Sequence, residues 1–576
     1  MHAFRCRSAN LCWKPLVAIA GALIATHQVN GATVNAHTPA LVDVQTAIAL
    51  AKDGDIVVVP AGSADWSSVL TITKGITLLG ATTVTNAWTQ NPTVNDLTII
   101  RDNSPLNTSQ SGLIKTNLTP SQSFRLSGFT FRYGSRTTKN NHGAVLLSST
   151  GSSAHFNQRV DHCHFDKLYE TAIETGGWVY GVADHNYIVA RDNCMSFEIF
   201  HPGYGGRTLG DGAWADYPWF GTDKFFFIEN NTLVGSGGPI TSGRTDGTNG
   251  ARFVIRHNYL INTHTGWHGT EGNQRGTRAC EIYDNTYNST IAYTASFRSG
   301  TALVHDNIWI GVGNSNQHHH QITIFREDGG VTNDASSNPF RFGDGSSLWD
   351  SNDTEGNGTY VDGSSPHLFA SGTVNSGSVT GGDGTITDTS KNWAVNQWIG
   401  YSVKQMNPSA ACYGKGSYIT SNTSNTIHFV VYTGGDRGPT LSFAAGDTYQ
   451  IHRVLTAIDQ VGRGKGDLLG GGGLNRVNTV TGTQKWPHQA LEPAFSWNNV
   501  GPPSNVAYGF SSSGPSEVLG RDYYNLGKSV TADSTPSQVS GTYGASLNGT
   551  NYTGTYTYPH PLTIDLLPPS SLAIIP

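Results

Sequence analysis

The sequence predicts an all-β solenoid, a stack of short strands wound into coils, and three observations predict it. A short Asn-centred motif recurs with a period in the low twenties, charge is scarce while glycine is abundant, and helical periodicity is found at one place only. Of the 576 residues 13% are charged, 69 are Gly and 24 are Pro. An ordinary globular chain is about a quarter charged, so long surface helices stocked with Glu and Lys are excluded. The 23 Tyr, 22 Phe and 13 Trp are too many for a disordered chain. With 35 Lys+Arg against 41 Asp+Glu, the net charge of −6 gives no field to attract nucleic acid or an anionic membrane.

At the N-terminus, Arg5, Arg7 and Lys14 precede an apolar run from Leu16 to Ala25, and small residues follow at Gly31 and Ala32. This order of charged, apolar and small regions is that of a secretory signal over residues 1–31, so the mature chain is expected to be secreted, extracellular or periplasmic. The run is too short to span a bilayer, and no later stretch is long and apolar enough, so no membrane span is expected. Cys6 and Cys12 leave with the signal. Cys163, Cys194, Cys280 and Cys412 are too scattered for a metal site or a disulfide framework, which favours buried free thiols over a bridge.

After the signal, Val44, Ala47, Ile48 and Ala51 follow an i, i+3, i+4, i+7 spacing and predict one short amphipathic helix. Asp53-Gly54 should end it, with Gly54 as a left-handed cap. Ile56 to Pro60 (IVVVP) and Ile76 to Gly80 (ITLLG) read as strands, and short β-branched and aromatic runs continue to about residue 310. Within this stretch VADHNYI, FIENNTL, VIRHNYL, EIYDNTY and LVHDNIW share one pattern, centred on Asn186, Asn231, Asn258, Asn285 and Asn307. VDHCHF adds Cys163 in the same column, and the successive spacings are 23, 45, 27, 27 and 22 residues. That is the period of a β-coil, with one interval close to two periods because of an insertion.

Each column of the repeat has a physical assignment. The apolar residue three before the Asn (Val160, Ala183, Ile228, Ile255, Ile282, Val304) should point inward, as should the one two after it (Phe165, Ile188, Leu233, Leu260, Tyr287, Trp309). The Asn itself is expected in a left-handed turn, donating its amide to the carbonyl of the neighbouring coil. Together with VQTAIALAKDGDIVVVPAG near the N-terminus, the pattern resembles the right-handed parallel β-helix of the pectate-lyase-like superfamily over roughly residues 40–330. In that superfamily a short helix followed by GD, an apolar run and PxG opens and caps the helix.

The expected organisation is a β-helix over residues 32–365, an inserted antiparallel β-module over 366–455 with Trp393 and Trp398 near its centre, and a return to coils with a C-terminal tail over 456–576. EPAFSWNNVG (Glu492 to Gly501) resumes the coil pattern with Asn499 in the Asn position. RDYYN and TYTYPHPL should pack along or cap the last coils.

The resemblance implies that substrate lies along the parallel sheet preceding each Asn-bearing strand, in a groove walled by long loops. Those strands are expected near Thr171–Thr175, Phe197–His201, Ile240–Arg244, Gly266–Thr270, Ala295–Arg298 and Ile322–Arg326. Their outward residues would be Glu174, Glu198, His201, Arg244, His268, Arg298 and Arg326, with Asp246, Glu271, Arg275 and Arg278 in adjoining loops. The segment from Arg244 to Arg278 carries Arg244, Arg252, Arg256, Arg275 and Arg278 with His257, His264 and His268, against Asp246 and Glu271 as the only carboxylates. Such a local cationic patch in an acidic chain suits carboxylates or sulfates, which Arg binds through two parallel hydrogen bonds.

A uronic-acid polysaccharide is therefore the expected partner. Its cleavage by β-elimination needs neutralisation of the C6 carboxylate and a base for the C5 proton. His268 is the candidate base, and Arg275 or Arg244 the carboxylate clamp. Substrate contacts are expected from Glu198, His201, Trp214, Trp219, Asp246, Glu271, Arg278, Arg298 and Arg326, the two tryptophans belonging to an aromatic insertion between Asn186 and Asn231 whose faces can stack on sugars. No residue set is assigned to a metal, although Ca²⁺ could replace Arg in neutralising the carboxylate. His318-His319-His320 cannot converge on one ion from a strand, and Asp161, His162, His164, Asp184 and His185 read as ordinary outward positions. Asp211, Asp216 and Asp223 show no spacing that fixes a glycosidase pair. The chain also lacks a counterpart of the Asp-rich calcium site of the best-known pectate lyases.

The expected function is a secreted polysaccharide lyase on an acidic glycan, with a β-helix glycoside hydrolase as the near variant and a non-catalytic extracellular glycan-binding or adhesive protein as the rival.

Overall fold

A computed structural model describes residues 31–105, 112–139, 143–149, 153–200, 218–236, 243–248, 250–266, 276–289, 293–310, 319–322, 368–399, 401–413, 416–431, 440–453, 461–462, 493–501, 506–512, 519–520, 522–527, 552 and 554–564. Three long sheets run along the molecule. Among the described residues sheet A has 12 strands, from Thr33–Asn35 to Tyr523–Asn525; sheet B has 11, from Gly62–Trp66 to Val506–Ala507; sheet C has 10, from Leu70–Ile72 to Phe510–Ser512. One coil visits them in turn, as in Val179–Asp184 (A), Tyr187–Val189 (B) and Phe197–Phe200 (C). Neighbouring coils pair in parallel, apart from the last pair of sheet B, which is antiparallel. The architecture is a right-handed parallel β-helix.

The inward columns are buried as the repeat requires. Val160, Ala183, Ile228, Ile255, Ile282 and Val304 line sheet A, and Phe165, Ile188, Leu233, Leu260, Tyr287 and Trp309 line sheet B, all in one apolar core. Like residues stack on like, so Phe131 lies on Phe165 and Tyr287 on Trp309 with ring centroids about 5 Å apart, close to the strand spacing.

The Asn column forms a continuous buried ladder. Asn186 Nδ2 donates to Asn231 Oδ1, Asn231 to Asn258, Asn258 to Asn285, Asn285 to Asn307 and Asn307 to Asn499, at 2.8–3.0 Å. The same amides reach carbonyls of the preceding coil, such as Val160 O and Ala183 O. One detail differs from the sequence expectation: the left-handed residue is the one before each ladder Asn. His185, Asn230, His257, Asp284, Asp306 and Asn498 have φ of 54–56°. The turn places the ladder Asn in extended backbone with its side chain pointing inward, where its amide can serve two coils.

The helix spans Leu41–Leu50 and buries Val44, Ala47 and Ile48. It ends earlier than expected, at extended Ala51, so Gly54 (φ 91°) shapes the following turn rather than the cap. The helix C-terminus is satisfied by Lys74, whose ammonium donates to the carbonyls of Ile48, Ala49 and Ala51.

Between Leu368 and Arg453 seven strands form an antiparallel sheet with its own core, including Ile386, Val403, Ile427, Phe429 and Ile451. Trp398 is buried there and Trp393 packs against it edge-on. The two edge strands, Leu368–Thr373 and Ser376–Thr380, are separated by two residues only, so the sheet must curl upon itself. Cys163, Cys194, Cys280 and Cys412 are buried and free.

The C-terminal segment docks on the outside of sheet A over the middle coils, not the last ones. Tyr552, Tyr556 and Leu562 join Val182, Phe227, Val254 and Tyr283 in a second apolar layer. Arg256 donates to the carbonyls of Tyr556 and Thr557, Arg159 to that of Leu562, and the His560 amide donates to Glu229.

Candidate functional site

Inward positions of sheet C include Ile173, Phe197, Ile199, Ala295 and Phe297. Alternation therefore turns Glu174, Glu198 and Asp246 outward. Strand register sets them side by side: Glu174 opposes Glu198, and Glu198 opposes Asp246. Three acids thus stand in one row at about 4.8 Å per strand. Glu174 and Asp246 are buried, while Glu198 is half-buried.

The members of the row have different partners. Glu174 Oε2 accepts from the Gly143 amide at 2.8 Å. Asp246 lies 2.7 Å from the Arg244 guanidinium, which also approaches the Met195 sulfur. Glu198 has no hydrogen-bonding partner among the described residues. Burial, followed by the charges of Glu174 and Asp246, pushes its carboxyl up to about 8, although Arg244 and Lys139 oppose the shift. At neutral pH Glu198 is therefore a protonated acid able to donate.

Beyond Asp246 the row continues with Gly266, because Thr245 opposes Thr265. A Cβ on Gly266 would come within 2.9 Å of the His264 ring and 3.1 Å of Arg244 Cδ, so glycine here leaves room for the Arg244 stem. Burial and the nearby Arg244 charge lower His264 to about 3, which keeps it neutral. Arg298 also acts on His264 and is half-buried at the end of Tyr293–Phe297.

The structure brings together Glu198, Arg244 and Asp246 and sets Arg298 beside them. Three strand positions move relative to the sequence expectation. The strand expected at Ile240–Arg244 is Thr245–Thr248, so Asp246 is a strand residue and Arg244 precedes it; Thr265–Gly266 replaces Gly266–Thr270, and His319–Ile322 replaces Ile322–Arg326. Among the described residues the cations of the expected patch do not share one face. Arg252 and Arg256 lie on sheet A, Arg256 clamped to Glu229 and Tyr283, and Arg278 is buried at the corner leading into sheet A. A 35-residue stretch crosses more than one coil, so closeness in sequence scattered these cations over different faces.

Trp219 is likewise displaced from the expected sugar-contacting role. It packs against the apolar layer outside sheet A, with the Lys224 ammonium 3.4 Å from its ring centroid. His201, Trp214, His268, Glu271, Arg275 and Arg326, together with Asp211, Asp216 and His318, lie outside the described residues. Among the described residues no three acidic, His or Cys groups are arranged to hold a metal ion. Asp161, His162, Asp184 and His185 form an ion-paired ladder instead: Arg125 binds Asp161, Arg159 binds Asp184, and the two imidazoles stack at 5.0 Å.

Lys139 was missed by sequence reasoning, and the carboxylate row was legible only in part. Glu174 and Asp246 each lie twelve residues before their ladder Asn, Asn186 and Asn258, which is a usable signal. The long insertion after Glu198 hides the same relation to Asn231.

No described protein family matches this chain, and no curated protein matches it. Two solved structures are similar. A PL6 family alginate lyase, AlyGC, shares 14% identity over 51% of this chain and 39% of its own, with a TM-score of 0.30. An arginine-to-alanine variant of AlyGC shares 13% over 52% and 41%, with a TM-score of 0.29. The match spans about two fifths of those structures' length.

Proposed function

We propose that this protein is an exported polysaccharide lyase that cleaves a uronic-acid-containing glycan by β-elimination. The observation that carries the reading is the row Glu174, Glu198, Asp246, with Glu198 held protonated and Arg244 beside it. A substrate carboxylate accepts a hydrogen bond from the Glu198 acid and a charge-assisted one from Arg244, as ionised acids alone could not provide. Drawing charge off C6 acidifies the C5 proton. A base removes that proton, its electron pair forms the C4–C5 double bond, and the C4 oxygen leaves and is reprotonated. His268, in the segment after Thr265–Gly266, is the base we assign.

The described donors present no calcium site: Arg244 already sits on Asp246, and among the described residues no three acidic, His or Cys groups are arranged to hold an ion. The hydrolase variant keeps one specific support, since a raised carboxyl flanked by acids at one strand spacing is also the arrangement of a retaining glycosidase.

Incubating the mature protein with polygalacturonate, alginate and chondroitin, while following near-ultraviolet absorbance and reducing ends together, separates the readings. Unsaturated ends support the lyase. Reducing ends without absorbance overturn it in favour of hydrolysis, and neither signal leaves a binding protein. His268→Ala should abolish the absorbance gain with the thermal melt unmoved; activity surviving that change removes His268 as the base.

A further inference from the structure

The corner between sheets B and C carries a surface feature that the acid row does not use. Tyr133 ends the strand Thr130–Tyr133 and is 44% exposed, although a ring of its size would ordinarily be covered. Its orientation is fixed from two sides. Tyr169 meets it edge-on at 5.6 Å and 86°, and the Arg191 guanidinium lies 4.7 Å from the Tyr133 ring centroid and 4.0 Å from that of Tyr169. Arg191 is in turn tied to the chain by Nε donating to the Lys167 carbonyl at 3.0 Å.

Tyr133, Tyr169 and Arg191 come from three successive coils at the same corner: at the end of Thr130–Tyr133, before Thr171–Gly176, and after Tyr187–Val189. At about 4.8 Å per coil the cluster extends roughly 10 Å along the helix axis, the length of about two sugar rings. It adjoins the acid row. Tyr169 precedes Glu174 by five residues, and exposed Lys139, in the segment just after Tyr133, acts electrostatically on Glu198. Arg191 and Lys139 both act on Cys194, as do Glu170 and Asp192. Glu170 and Asp102 are engaged by Arg136, and among the described residues Lys139, Lys167 and Asp192 are exposed charges of the ridge beside Arg191.

We propose that Tyr133, held by Tyr169 and Arg191, is a sugar-stacking subsite for a uronate ring of the glycan, with Lys139 meeting its carboxylate. The assignment rests on the acidic-glycan reading above. An immobilised, half-exposed aromatic ring binds an apolar sugar face with little ordering cost. The backing cation takes one face of that ring and fixes it, while the residue as a whole stays 44% exposed.

The test uses the full mature chain. Retention in native gels cast with polygalacturonate or alginate reads binding, and near-ultraviolet absorbance separately reads elimination. Tyr133→Ala should weaken retention and raise KM about threefold to tenfold, acting on KM rather than kcat, with the melt unchanged. Tyr133→Phe keeps the ring and should restore both values. Equal retention of wild type and Tyr133→Ala overturns the subsite, as does absence of wild-type retention on either polymer. Weakened retention without any unsaturated product leaves the subsite standing and sinks the lyase. Unsaturated product with KM and retention unmoved in Tyr133→Ala does the reverse.

Discussion

Sheets A and C each carry three acids in register on their outward faces, and the two triplets are treated in opposite ways. On sheet A the row is Asp161, Asp184 and Glu229, continued by Arg256. Each acid has a guanidinium of its own: Arg125 on Asp161, Arg159 on Asp184, Arg256 on Glu229. Burial works to raise Asp161 and Asp184, but these bonds and charges hold both below the ordinary carboxylate range. Glu229 stays raised by burial even with Arg256 on it, and the docked C-terminal segment seals the row. On sheet C, Arg244 sits on Asp246 and the Gly143 amide on Glu174, while the central Glu198 keeps its proton. The same stacking rule therefore yields a face sealed by ion pairs and the docked tail, and another whose central acid stays protonated.

The largest expected effect breaks the closed face. Arg256→Ala leaves Glu229 buried without its cation and removes the donors to the Tyr556 and Thr557 carbonyls. Such a loss costs about 3–5 kcal/mol, and chemical denaturation should show it, with faster proteolysis of the C-terminal segment. A stability change under 1 kcal/mol would mean that the sheet A ion pairs are not holding the tail.

The next tests the open face. Glu198→Gln keeps a hydrogen-bond donor but cannot exchange a proton, and Glu198→Ala removes the donor as well. If the acid's donation to the substrate carboxylate matters, Glu198→Ala should lower kcat/KM about a hundredfold, or about 2.7 kcal/mol, and Glu198→Gln distinctly less. Equal losses in both would point to proton transfer by Glu198 and favour the hydrolase variant.

A smaller effect sharpens the comparison through pH. The Glu198 carboxyl moves from 4.5 to about 8 on folding, so between those values the folded protein holds a proton that the unfolded chain has released. Its contribution to stability is full below about pH 4.5 and is lost as pH rises towards 8. Glu198→Gln should therefore flatten the decline in melting temperature over that window. A decline of undiminished slope in the variant would show that another group carries it.

The fold was legible because its cause is periodic. Inward columns and the Asn ladder repeat one local solution in every coil, and a period survives insertions. The acid row was legible only as separate residues, because register is set by the whole coil and not by nearby sequence. Asp246 reads as a loop residue until Thr245–Thr248 is seen to pair with Phe197–Phe200. The same limit divides the described cations of the expected patch: Arg244 and Arg256 are twelve residues apart, yet one faces the sheet C row and the other the sealed side of sheet A. Tyr133 carries no sequence signal, since its exposure depends on which rings its neighbouring coils supply.

The smallest expected effect lies where the Asn ladder stops. Cys163 occupies the ladder column, and its backbone amide donates to Asn186 Oδ1, but the thiol replaces the carboxamide. Its sulfur lies 3.2 Å from the Asp161 carbonyl and 4.0 Å from that of Leu126, the same own-strand and preceding-coil positions that Asn231 Nδ2 bonds at Glu229 O and Ala183 O. Phe129 holds the column one coil earlier, so the ladder has no further side-chain amide to meet. Cys163→Asn would exchange two weak thiol contacts for two amide bonds, at the cost of fitting a slightly larger group into a buried site. The expected gain is about 0.5–1 kcal/mol, read as a raised denaturation midpoint with unchanged slope. A loss of stability would mean that packing against Phe129, rather than hydrogen bonding, ends the ladder at this coil.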